Sequence, residues 1–111
     1  MINWEKFNDN FQYYEKDIVN TAIDMLLDSY QVYFDGIRES IANRDFDKLY
    51  FNAHKFKGGV SNFMDPLVVE LAAQLELMGT NKTLDGIDEY FAAFQKSVTQ
   101  LIQVLEEYKN K

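Results

Sequence analysis

The chain's single histidine, His54, is followed at the third and fourth positions by Lys57 and Gly58, within the run AHKFKGG at 53–59. A neutral imidazole nitrogen is a competent nucleophile near neutral pH, because the free ring loses its proton at about pH 6.5, and covalent catalysis by histidine is an established role. If the group received is a phosphoryl, Lys57 brings an ammonium to its oxygens as a compact charge. Ser61, four residues further on, adds a hydroxyl. The adjacent glycines need a reason of their own. Each costs a helix roughly 1 kcal/mol relative to alanine, and a glycine one turn after the histidine removes the side chain that would stand beside the ring.

Other chemistries are poorly supplied. There is no cysteine, so disulfides and thiolate metal sites are impossible. With one histidine, carboxylates are the only other strong metal ligands and no Glu-x-x-His pair occurs, so no metal is expected. No Gly-x-x-x-x-Gly-Lys-Ser/Thr or Gly-x-Gly-x-x-Gly stretch is present to cradle a nucleotide, which argues against kinase activity of its own. The acidic pairs Asp88-Glu89 and Glu106-Glu107 read as solvated helix faces.

A formal net charge of −7 argues against nucleic acid or an anionic membrane as partner, since both are polyanions. The charge is uneven. Between Arg44 and Ser61 there are four cations against two anions, so the histidine sits in a basic island on an acidic chain. The start, MINWEKFNDN, lacks the basic and unbroken apolar stretches of a secretion signal, and no window reaches the roughly 18 apolar residues of a membrane span. With no cysteine to oxidise, a soluble cytoplasmic protein is expected.

The elements that must position His54 are helices. One proline, five glycines and no β-branched alternation predict an all-α fold, with the 111 residues forming one domain. A short first helix from Asn3 puts Trp4, Phe7 and Phe11 on one face, to cap a bundle. A second, from near Asp17 to Asn43, carries the stripe Val19, Ile23, Leu26, Tyr30, Tyr33, Ile37 and Ile41. The third, capped by Asp45 or Asp47, buries Phe46, Leu49, Ala53, Phe56, Val60 and Phe63. The fourth has Asp65 as cap and Pro66 at its first position; it turns Leu67, Leu71, Leu75 and Met78 inward and stops at Gly79. The fifth, from Thr83 to Tyr108, repeats Ile87, Phe91, Phe94, Val98, Leu101, Leu105 and Tyr108. Four long amphipathic helices with short links predict an antiparallel up-down four-helix bundle with a short N-terminal capping helix, and a complete bundle of this kind is expected as a monomer.

At 100° per residue, His54 falls about 130° from the centre of the third helix's buried stripe, so it faces solvent. Gly58 lies on the same exposed face one turn later. Lys57 and Ser61 lean back toward the bundle. Gly59 points to the opposite flank, where close approach of a neighbouring helix is the use it suggests. Phe51, one turn before His54, is out of phase with the core and as an exposed aromatic invites a partner.

AHKFKGGVSNF, with the Asn-Trp-Glu-Lys-Phe start and the four-helix layout, resembles the histidine-containing phosphotransfer (HPt) domains of two-component phosphorelays. Their pattern of histidine, any residue, an apolar residue, lysine and glycine followed by small residues is met by His54, Phe56, Lys57, Gly58, Gly59 and Ser61. The resemblance implies that His54 accepts a phosphoryl group from a receiver-domain aspartyl phosphate and passes it to another response-regulator aspartate. Lys57 then supports the phosphoryl group and Gly58 keeps the approach open. It implies a phosphocarrier rather than a kinase, with receiver domains of response regulators and hybrid histidine kinases as partners. No cofactor is expected on this chain, the Mg²⁺ that assists transfer belonging to the receiver. Many members carry a glutamine on the next helix that orients the imidazole; here Glu76 stands about there, a departure. The implied docking face comprises Asp47, Phe51, His54, Lys55, Gly58 and Ser61, with the first helix contributing. The alternative is a helical adaptor that binds a receiver-like partner through the Phe51 face and carries no phosphate.

Overall fold

Four long apolar stripes bury one another. In the computed structural model, which describes residues 1–111, the chain forms five α-helices and no strand. These are α1 (Trp4–Phe11), α2 (Lys16–Asn43), α3 (Phe46–Val60), α4 (Pro66–Asn81) and α5 (Ile87–Lys109), with one 3-10 turn, Ser61–Phe63, continuing α3. Helices α2 to α5 make an antiparallel up-down four-helix bundle, and α1 covers one end. Twenty-eight residues of α2, at about 1.5 Å each, account for the 42 Å long axis.

Helix starts follow local chemistry. The side chains of Asn3, Asp45 and Asp65 accept hydrogen bonds from the backbone N–H groups of Lys6, Lys48 and Val68, each satisfying a donor that the first helical turn leaves without a partner. Asp45 is therefore the cap of α3. Asp47 lies inside the first turn, where its charge opposes the positive end of the helix dipole. Asp65 is almost fully buried, 2% exposed, and besides capping α4 it accepts a hydrogen bond from the Met1 ammonium at 3.2 Å.

The core is one cluster of 22 buried apolar residues drawn from every helix and the 3-10 turn. Phe94 of α5 is its hub. It stacks on Phe34 at 5.7 Å between ring centres and meets Phe56 of α3 edge-on at 5.0 Å. These aromatic contacts hold Phe34 in the core, while Tyr33 is half-buried at its edge. At the capped end Phe7, fully buried, packs on Phe11 and Tyr108, while Trp4 stacks on Tyr108.

Helix α4 departs most from expectation. Leu71, Leu75 and Met78 turn inward as expected, but Val68, Ala72 and Gly79 are buried with them and Leu67 is 45% exposed. Gly79 does not end the helix, which runs two residues further and closes on Lys82 in the left-handed conformation (φ 54°). Instead Gly79 is a contact point. A Cβ there would stand 2.7 Å from the Tyr50 backbone nitrogen and 2.9 Å from the Phe46 carbonyl oxygen, so only glycine allows α4 this close to α3. Helix α5 starts at Ile87 rather than Thr83, because the Thr83 hydroxyl accepts from the Asp85 N–H and Gly86 turns left-handed (φ 71°) before the helix begins.

Candidate functional site

Helix α3 presents two faces. Leu49, Ala53, Phe56 and Val60 are buried in the core, and Phe51, His54, Lys55 and Gly58 are exposed on the other side. The His54 side chain is 55% exposed. Nothing lies within 4 Å of where a Cβ on Gly58 would stand, so the space beside the ring is open. Gly59 is open as well: a Cβ there would make only an ordinary contact, 3.9 Å, with Leu26, and no helix needs it for close approach.

The close contact at Gly79 decides what stands behind the ring. It brings α4 against the Tyr50 backbone, and one turn earlier on α4 Glu76 reaches across to α3. Glu76 Oε1 lies 3.1 Å from His54 Nδ1, and Oε2 lies 2.6 Å from Lys57 Nζ. The lysine contact has the distance of a hydrogen bond without its angles, and acts as an ion pair. With its side chain only 15% exposed, Glu76 is largely buried under the two residues it binds. Burial alone would push its carboxyl up, but the ammonium of Lys57 and then the imidazole of His54 hold it below the ordinary 4.5. Glu76 is thus a carboxylate at neutral pH and can only accept. The hydrogen between it and His54 resides on Nδ1, which in the neutral ring leaves the lone pair on Nε2, the nitrogen on the far side of the ring from Glu76.

Tyr50 completes the seating. Its ring lies parallel to the imidazole, 7° between planes and 5.8 Å between centres, one turn before His54. Neither Tyr50 nor the seat at Gly79 was visible from hydrophobic phase, although Tyr50 at four residues before the histidine is the position from which a helical side chain reaches it.

Of the residues singled out from the sequence, the fold brings His54, Lys57 and Glu76 into contact and leaves Gly58 vacant beside them. Phe51, 53% exposed, lies one turn away beneath the Lys55 ammonium, 5.8 Å from its ring centre. Asp47 and Ser61 are exposed near opposite ends of α3 and touch neither the ring nor each other; the Ser61 hydroxyl donates to the Gly58 carbonyl at 3.1 Å. Helix α2 adds three exposed apolar residues not anticipated, Ile18 at 53% and Met25 and Val32 at 67% each. Val32 lies one turn from Gly36, which abuts Asn52 of α3, and Met25 adjoins Leu26, which faces Gly59. No three His, Cys, Asp or Glu side chains converge as a metal-binding group. A cleft of about 200 Å³ lined by residues including Trp4, Leu101 and Val104 contains none of the residues around His54.

A family model described as the Hpt domain matches residues 21–108, from the first turns of α2 to the end of α5. The chain belongs to the Hpt domain family. No curated protein and no solved structure matches it. Membership carries histidine phosphotransfer in two-component signalling, and Hpt domains are phosphocarrier modules that work with receiver domains. The matched span contains His54, Lys57, Gly58 and Glu76. As an Hpt domain the chain is all-α, and no helix is long and apolar enough to cross a membrane.

Proposed function

We propose that this chain is a phosphorelay intermediate in which His54 Nε2 takes a phosphoryl group from an aspartyl phosphate on one receiver domain and delivers it to the aspartate of another. The carrying observation is the contact of His54 Nδ1 with the ionised Glu76, 3.1 Å. It supports, for the neutral ring, the tautomer that leaves the lone pair on Nε2, opposite Glu76. Attack of Nε2 on phosphorus forms the N–P bond and breaks the P–O bond to the receiver's aspartate, which leaves with the electron pair. Delivery reverses these roles on the second receiver. Lys57 supplies positive charge beside the ring, Gly58 leaves room for the receiver's aspartyl group, and Tyr50 restrains the imidazole plane. The Mg²⁺ expected in the exchange belongs to the receiver, and the chain carries phosphate without a kinase activity of its own.

Because the ring stands on an exposed helix face and not in a cleft, the phosphoryl group has to be brought by a second surface. Phe51, one turn before the ring, gives that surface apolar footing, and Lys55 offers charge to an acidic receiver active site. An adaptor that binds without carrying phosphate would use the same face. Replacing His54 by glutamine separates the two readings: a carrier loses all phosphoryl transfer between receivers while still binding them, whereas transfer that survives in His54→Gln defeats the carrier reading.

A further inference from the structure

Glu76 does more in this arrangement than orient a ring, because the proton it holds on Nδ1 decides how easily a phosphoryl group leaves Nε2. The inference rests on the proposed role of His54. When Nε2 takes the phosphoryl group and the ring keeps its Nδ1 proton, the ring becomes a cation. Breaking the N–P bond of that cation returns the electron pair to Nε2 and releases neutral imidazole, a good leaving group. Breaking the same bond after Nδ1 has lost its proton would release an imidazolate, a poor one. The lifetime of the phosphorylated ring therefore depends on who holds that proton.

We propose that the Glu76 carboxylate, bonded to His54 Nδ1 and ion-paired to Lys57, keeps the phosphorylated ring protonated and so makes His54 a fast phosphoryl donor. A neutral amide in its place would still accept the hydrogen bond and orient the ring, but would carry no charge to retain the proton. The groups around the imidazole are few: Glu76 from α4 and Tyr50 from α3 contact it, Lys57 binds the same carboxylate, and the neighbouring Lys55 lies over Phe51. Among them only Glu76 is an anion. The Lys57 ammonium, 2.6 Å from the other carboxylate oxygen, holds Glu76 in the ionised state that the role requires. The carboxylate, 15% exposed, is sheltered on its own side, while the imidazole it holds, 55% exposed, stays open to water and to an incoming receiver. The cost falls on storage, since a ring that gives up its phosphoryl group readily to a receiver also loses it sooner to water.

Phosphoramidate, a small-molecule donor that needs no receiver, is the probe. The native chain and Glu76→Gln would be phosphorylated with it, the label mapped to residue 54 by mass spectrometry, and its hydrolysis followed by ³¹P NMR from acid to mildly alkaline pH. The phosphorylated Glu76→Gln protein should outlive the native one several-fold at neutral and mildly alkaline pH, with the two converging at acid pH, where both rings are protonated. Equal lifetimes throughout, or a longer-lived native adduct, overturn this inference and leave the carrier reading standing; no label on His54 of the native chain overturns both. A second reading needs no variant. In ¹H–¹⁵N spectra of the native phosphorylated chain, Nδ1 should remain protonated into the mildly alkaline range, and early loss of that proton contradicts the proposal.

Discussion

Gly58 and Gly79 are both helical glycines near His54, and they are there for opposite reasons. An added Cβ at Gly58 meets nothing within 4 Å; at Gly79 it would stand 2.7 Å from backbone that cannot move aside. The first leaves the front of the imidazole vacant. The second presses α4 against α3 behind it, so that Glu76 reaches both His54 and Lys57. A nucleophile on a helix surface needs both conditions, room where the electrophile arrives and a fixed support where the ring is held, and glycine supplies each by lacking a side chain.

Gly58→Leu is the strongest way to break that contrast. Filling the open side should slow phosphoryl transfer roughly ten- to hundredfold, since small misplacements of reacting groups cost that much. Thermal stability should hold or rise, because an exposed helical glycine costs about 1 kcal/mol. Stopped-flow transfer assays beside thermal melts read both, and an unchanged rate removes the reason given for Gly58. Gly79→Ala should do the reverse, with stability suffering first. Forcing a methyl between two helix backbones costs about 1–3 kcal/mol, read from urea unfolding, and the shift of α4 should weaken the His54 contact with Glu76 in NMR spectra of the ring. A fully stable Gly79→Ala protein contradicts the close approach.

Two smaller effects sharpen the comparison from the side of charge. The carboxyl of Glu76 is held below its ordinary 4.5, so the folded state binds its proton less readily than the unfolded one. Its contribution to stability is complete above that pH and is lost as pH falls through the lowered value. Unfolding midpoints measured down the acid range should fall less steeply for Glu76→Gln than for the native chain, and parallel curves would remove the ion pair as a source of stability. The smallest effect concerns encounter. Added salt should slow transfer from a receiver by screening Lys55 and its neighbours; a rate indifferent to ionic strength discards electrostatic steering.

Much of this arrangement was legible in the chain itself, and the exceptions share a cause. Apolar periodicity placed the helices, and the Asn3 and Asp65 caps follow from side chains suited to hold the first turn's free N–H groups. The outward direction of His54 follows from the phase of Ala53, Phe56 and Val60. Contacts between helices were less visible. Periodicity gives the phase of a helix but not its distance from the next, so Gly79 read as a stop signal when it is a spacer. The inward swap of Phe34 for Tyr33 depends on ring stacking against Phe94, a residue sixty positions later. Tyr50 escaped notice because a half-exposed aromatic residue beside a core stripe looks like the stripe's edge until the ring it stacks on is known. Glu76 could be placed by resemblance; only the fold shows that it holds Lys57 as well as His54.

The central claim is that Nε2 of His54 receives phosphate. Incubating the chain with a receiver domain already phosphorylated on its aspartate, then mapping the label by mass spectrometry under conditions that preserve phosphohistidine, tests it directly. The account predicts loss of phosphate from the receiver and a single labelled residue, His54, bearing the group on Nε2. Binding of the receiver with no label on the chain, or a label on any other residue, would contradict it.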